Sequence, residues 1–230
     1  MIVIFNGPPA SGKDEAASLF KEVFGFGNLS FKYQLFKETV KHFQVDERWF
    51  MQGYNDREQK EKKEVALNMM SRREAMIHVS EDIIKPKEGL DYFGRLVAEE
   101  VEDGKHYAVA DGGFVEELEP LIEKVGADNI VIVQLTRDGY DYSTDSRRYF
   151  NGNLIKEYTI NFETKIDKAY VLSEEMDIKT YRVHNNGAVR NFHSTLIDIY
   201  NELNEEYNLD YINGQTEEST EAEHNQSEDV

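Results

Sequence analysis

The sequence predicts an α/β fold in which a parallel sheet of about five strands is flanked by helices. Two observations carry that expectation. Continuous apolar, β-branched runs such as Met1–Asn6 and Asn129–Thr136 have the signature of strands buried on both faces. Amphipathic helical stretches separate these runs, and strand–helix alternation implies crossover connections between parallel strands. The composition agrees: 40% of the 230 residues are hydrophobic, with 13 Phe and 13 Tyr, so one large domain can bury a full core without staples.

Met1–Asn6 is the first strand. Residues 13–24 set Ala16, Leu19, Phe20 and Val23 on one helical face. Asn28–Phe31 is a short second strand, and an amphipathic stretch follows it through His42. Residues 46–103 read as a charged helical insertion, in which Ser71-Arg-Arg-Glu74 has the form of a capping box. His106–Ala110 is the third strand, Val115–Val125 a helix, and Asn129–Thr136 the fourth strand. Gly139–Ser173 is polar and aromatic, and Asn151-Gly152 between Tyr149-Phe150 and Leu154-Ile155 signals a hairpin turn. That segment, bounded as 138–170, is expected as a lid-like flap on the carboxyl edge of the sheet. Thr180–Asn185 is the fifth strand. A closing helix carries Phe192, Leu196, Ile199, Tyr200, Leu203 and Tyr207 on one stripe. The domain is expected to span 1–213, with 214–230 as an acidic disordered tail that holds six acids and almost nothing apolar.

Charge narrows the partners. Lys plus Arg total 26 against 45 Asp plus Glu, a formal charge of −19. Such a surface repels a nucleic-acid backbone or an anionic membrane, so an anionic ligand needs a local basic pocket. The longest apolar runs are too short to span a bilayer, and the N-terminal run lacks the basic leader of a signal peptide. There is no cysteine. Disulfides, zinc–thiolate sites, iron–sulfur clusters and thiol nucleophiles are excluded together, which fits a reducing cytoplasm.

Gly7-Pro-Pro-Ala-Ser-Gly12-Lys13-Asp14 matches the phosphate-binding loop, with Asp14 where Ser or Thr is usual. It follows a buried strand and opens an amphipathic helix, where backbone N–H groups and the helix dipole can hold phosphate. The expected architecture is therefore the P-loop NTPase fold. Gly7, Ala10, Ser11, Gly12, Lys13 and Asp14 are candidate ATP contacts, and Lys13 would bridge the β- and γ-phosphates. Without a ligand the same string is only a Gly/Pro-rich turn. Asp14 is favoured near a helix N-terminus by the dipole alone, and it could equally hold Mg²⁺ directly or through water. Asp111, at the end of the third strand, reads either as a ligand for Mg²⁺ or water or as the start of a turn before Gly112-Gly113. Among ten arginines, Arg137 sits just past the fourth strand, Arg147 and Arg148 in the flap, and Arg72 and Arg73 in the insertion. They could surround a charged phosphoryl transition state, or form surface ion pairs.

Phe5-Asn-Gly-Pro-Pro-Ala-Ser-Gly-Lys-Asp14 resembles the bacteriophage deoxynucleoside monophosphate kinases. So do Phe31–Lys37, Ser71–Glu81, Ile84–Gly89, Asp91–Gly94, Asp111–Phe114 and Arg137–Tyr149, in collinear order over most of residues 1–200. The resemblance implies phosphoryl transfer from ATP–Mg²⁺ to a nucleoside or deoxynucleoside monophosphate held under the helical insertion. Arg72 and Arg73 would contact the acceptor phosphate, with Lys32 and Lys37 as further acceptor-side residues and Asp111 near acceptor or metal. Arg137 and Arg147 would clamp the transferring group beside Lys13, and Asn185-Asn186 would border the adenine. Small-molecule nucleotides are the implied partners, in the cytoplasm (that of the host for a viral protein), and a homodimer stays open. Two other readings remain: a kinase of another small acceptor such as dephospho-coenzyme A, and a non-catalytic nucleotide-binding protein on the same scaffold. A switch GTPase is disfavoured, because Thr164-Lys-Ile-Asp167 follows no strong strand and Asp111-Gly-Gly-Phe114 lacks glycine at its fourth position.

Overall fold

β1 (Ile2–Asn6), α1 (Lys13–Phe24), β2 (Gly27–Leu29) and α2 (Phe31–Phe43) open the chain in the computed structural model, which describes residues 1–143, 145, 147–151, 154–158, 169–171 and 178–209. The insertion follows as α3 (Glu47–Asn55), α4 (Arg57–Lys60), β3 (Lys63–Glu64), β4 (Met70–Ser71), α5 (Arg72–His78), a π-helical stretch over Val79–Ile84, α6 (Lys85–Glu88) and α7 (Tyr92–Glu99). Then come β5 (Tyr107–Val109), α8 (Val115–Val125), β6 (Ile130–Thr136), β7 (Tyr149–Asn151), β8 (Leu154–Tyr158), β9 (Ala169–Val171), β10 (Lys179–His184) and α9 (Val189–Tyr207).

The main sheet runs β2-β5-β1-β6-β10-β8, and every pairing in it is parallel. Its first five strands are the expected ones, and β8 adds a sixth at the edge. Successive side chains of a strand point to opposite faces, and β1 divides accordingly. Val3 and Phe5 join the core formed with α1 and α9, whereas Ile2 and Ile4 join the core formed with α7 and α8. Helices on both faces of a parallel sheet, with the phosphate-loop string between the central strand and its helix, make this an α/β architecture of the P-loop NTPase type. Parallel strands also bring Asn6, Asp111, Arg137 and Asn185 to one carboxyl edge, each at or just past a strand end.

The insertion has its own apolar centre, where Phe36 of α2 meets Phe50, Leu67, Ala75 and Met76. Its capping box forms as expected: Ser71 Oγ accepts the Glu74 N–H at 3.2 Å, and the Glu74 carboxylate accepts the Ser71 N–H at 2.7 Å.

Two expectations need correction. The second strand ends at Leu29 and not at Phe31, because Ser30 Oγ accepts the Tyr33 N–H at 3.0 Å and starts α2. The hairpin around Asn151-Gly152 has no ladder between its arms. β7 pairs in parallel with β9, and β8 pairs in parallel with β10. The cause is anchoring: Phe150 is buried in the core, and its N–H and C=O are bonded to the side chains of Asn6 and Gln134. β8 meanwhile covers an edge of the sheet that β10 would otherwise expose. The segment is thus partly built into the core and is not a free hairpin. Gly152, Thr164–Asp167 and the 214–230 tail lie outside the described residues.

Candidate functional site

The loop after β1 needs two left-handed residues to turn back on itself. Ala10 has φ 62° and Gly12 φ 105°. The second is costly for any residue with a Cβ, so glycine precedes the helix. Ser11 between them is fully buried, and its hydroxyl has no hydrogen-bond partner among the described residues. An orphaned buried hydroxyl inside such a loop is the kind of group that a bound oxyanion would satisfy.

Lys13, the first residue of α1, is buried, and its Nζ donates to the Pro8 carbonyl of its own loop at 2.7 Å. Burial pulls its pKa down to about 8, assisted by Arg147 and opposed by Asp14, Asp145 and Asp111. A cation that has lost hydration and rests on a neutral carbonyl is ready for an anion. Orphaned hydroxyl, left-handed loop and desolvated lysine all fit a nucleotide phosphate.

Arg137 touches this loop from one further segment, and Arg147 acts electrostatically on Lys13 from another. Arg137, one residue past β6, donates to the Ala10 carbonyl at 3.1 Å. Arg147 is held by Asp145, with Nε at 3.0 Å from Oδ1 and a terminal nitrogen at 2.6 Å from Oδ2. Its side chain lies along Gly113, where an added Cβ would come 2.5 Å from Arg147 Cβ. The second glycine of Gly112-Gly113 thus makes room for the arginine. Asn185 closes the far side, donating from Nδ2 to the Ser11 carbonyl at 2.9 Å, while Asn186 Oδ1 accepts the Asp138 N–H at 2.8 Å.

Asp14 is exposed and shares a cleft of about 310 Å³ with Ser18, Lys21, Asn28, Lys32 and Asp111. Asp111 is turned toward α2, accepting from Ser30 Oγ at 2.6 Å, Lys32 N–H at 2.8 Å and Phe31 N–H at 3.3 Å. Its carboxylate caps α2, a duty that neither the turn reading nor the ligand reading anticipated. Asp14 is the less encumbered of the two carboxylates, and a hard cation that keeps most of its waters needs only one or two.

Acceptor-side expectations divide. Lys32 lines the cleft, with its ammonium 5.9 Å from the Tyr54 ring centre. Lys37 turns away to Glu100 at 3.0 Å. Arg73 is 58% exposed and 4.0 Å from Glu61. Arg72 is 1% exposed: it lies 4.2 Å over the Trp49 ring and donates to the Gln59 carbonyl at 3.1 Å. As placed, it packs the insertion and has no path to a ligand.

Several site residues were not read from the sequence. Tyr142 and Gln134 act through contacts far along the chain, which no local pattern encodes, whereas Asp145 acts on Arg147 only two positions away. Asn6 did leave a signal, as a polar residue closing an apolar strand. No protein-family model matches the chain, and no curated protein matches it significantly.

Proposed function

We propose that the protein transfers the γ-phosphoryl group of ATP to a nucleoside or deoxynucleoside monophosphate. The observation that carries this reading is the convergence of Lys13, Arg137 and Arg147, from three separate segments, around the loop after β1. Phosphoryl transfer asks little covalent chemistry of a protein; it asks for cations around the charge of the transition state and for exclusion of water. A pure binder of nucleotide has no use for a second and third cation at the transferring group.

On this reading the loop and Lys13 hold the β- and γ-phosphates, Asn185 and Asn186 border the base, and Arg147 neutralises the oxygens of the group in flight. Asp145 keeps the guanidinium of Arg147 in one orientation through two parallel contacts. Asp14 would hold Mg²⁺, which when bound supplies further neutralisation of phosphate charge. The acceptor would enter from the cleft bordered by Lys32. No described helix is long and apolar enough to cross a membrane.

The test is ADP release from ATP–Mg²⁺ with each ribo- and deoxynucleoside monophosphate and with dephospho-coenzyme A. At least one nucleoside monophosphate should stimulate it strongly, and Lys13→Ala should lower turnover by roughly 10²–10³-fold, the scale of one preorganised charge lost. A folded Lys13→Ala protein with full turnover would overturn the assignment, and stimulation by dephospho-coenzyme A alone would move it to that acceptor.

A further inference from the structure

Asn6 is the last residue of β1, fully buried at the point where the strand becomes the phosphate loop. A buried amide must find partners, and Asn6 finds all of its side-chain partners on other segments. Its Nδ2 lies 3.0 Å from the Arg148 carbonyl, 3.3 Å from the Gly112 carbonyl and 3.4 Å from the Tyr142 hydroxyl. Its Oδ1 accepts the Phe150 N–H at 2.7 Å. An amide nitrogen has two hydrogens, so the short bond to Arg148 uses one and the two longer contacts share the other. Reversing the amide would set its oxygen against two carbonyls, so only this orientation is satisfied.

Gln134 is the register partner of Asn6 on β6 and is buried as well. It donates to the Phe150 carbonyl and accepts from Arg182 Nε at 3.1 Å. The Phe150 peptide is therefore gripped on both sides by amides from adjacent strands. The Arg148 N–H donates to the Gly113 carbonyl at 3.0 Å, and the Gly7 N–H faces the Tyr142 hydroxyl. Arg147 thus sits between two fixed points, and one of the groups fixing them also touches the first residue of the phosphate loop.

We propose that Asn6 is a positioning residue, holding Tyr142, Arg148 and Phe150 so that Arg147 stands beside the phosphate loop before substrate arrives. Residues 142–148 contain no strand or helix among those described. Left unpinned, they would lose backbone entropy each time Arg147 was brought into place. Asn6 and Gln134 meet that cost once, on folding, and deliver a preorganised cation. The proposal rests on the kinase reading above.

The experiment is a double-mutant cycle of Asn6→Ala with Arg147→Ala, using ATP and the best monophosphate acceptor. If Asn6 acts through Arg147, Asn6→Ala lowers kcat about 10–10²-fold and changes the KM for ATP less than about threefold. The double variant is then no slower than Arg147→Ala within about twofold, because the lost interaction can be lost only once. A residue that only supports the fold would give multiplied losses and a KM that rises as kcat falls, and that result overturns the proposal. Tyr142→Phe, which deletes only the hydroxyl between Asn6 and Gly7, carries the same cycle with a smaller loss of about 3–10-fold should Asn6→Ala fail to fold. A wild-type protein inert toward every monophosphate would remove the kinase reading and this proposal together; an active wild type with multiplicative losses removes the proposal alone.

Discussion

Lys13 leaves water where β1 turns into α1, and that burial sets its titration near 8 in the free protein. Below that pH the ammonium is charged and meets phosphate directly. Above it, the free protein has lost the proton, and bound phosphate favours the charged form, so binding must take the proton back. ATP affinity should therefore fall above about pH 8, by up to about tenfold per unit. Calorimetric titrations at pH 9, in buffers of different ionisation enthalpy, should show net proton uptake; a buffer-independent heat would mean that Lys13 does not meet the phosphates. Glu117 makes the opposite case. Burial raises its carboxyl to about 8, with Lys85 opposing and Asp111 and Glu116 adding to the rise. The folded state thus binds a proton that the unfolded chain releases near its ordinary value of 4.5, so stability falls as pH climbs from about 4.5 to 8. Glu117→Gln should match the wild type near pH 5 and exceed it at pH 8.5 by on the order of 1–3 kcal/mol in urea unfolding. Parallel pH profiles would show that Glu117 is ionised at neutral pH and balanced by Lys85.

At the scale of elements, the insertion separates two arginines that are adjacent in sequence. Arg72, at the start of α5, is stacked on Trp49 and bonded to Gln59. Arg72→Ala should lower stability by on the order of 3 kcal/mol, since it strands the groups that a buried cation satisfied. Arg73→Ala should stay within about 0.5 kcal/mol, as surface substitutions do. Urea unfolding of both variants decides: equal midpoints would mean that the Trp49 and Gln59 contacts of Arg72 do not hold the insertion together. These elements also show what a sequence can carry. α1 and α8 begin and end as their apolar periodicity indicates, and the Ser71–Glu74 capping box is a local rule obeyed locally. Asp111 reads as a turn or a metal ligand because nothing near it reveals that α2 will present its N-terminus there. The Asn151-Gly152 signal is overridden by Asn6, some 140 positions away, which anchors Phe150. The loop after β1 was legible because the motif is contiguous; the grip on the Arg148 and Phe150 backbone was not, because it is assembled from β1, β6 and the stretch after β5.

The whole molecule sets a conflict between its field and its site. The chain carries a formal charge of −19, while the edge of the sheet offers Lys13, Lys32, Arg137 and Arg147 against Asp14, Asp111 and Asp145. Those cations barely outnumber the carboxylates beside them, so their attraction fades within a few ångströms. Beyond that range an approaching ATP meets the summed negative charge. At about 10 mM salt the Debye length is roughly 30 Å, so distant acids still act at the site; at 0.15 M it is about 8 Å, short enough to hide them but not the site. The association rate of ATP, measured by stopped flow at fixed Mg²⁺, should therefore rise as salt is raised from about 10 to 150 mM. Ordinary cationic pockets give the reverse, because salt screens an attraction there. A rate that falls with salt would mean that the site's own cations govern the approach.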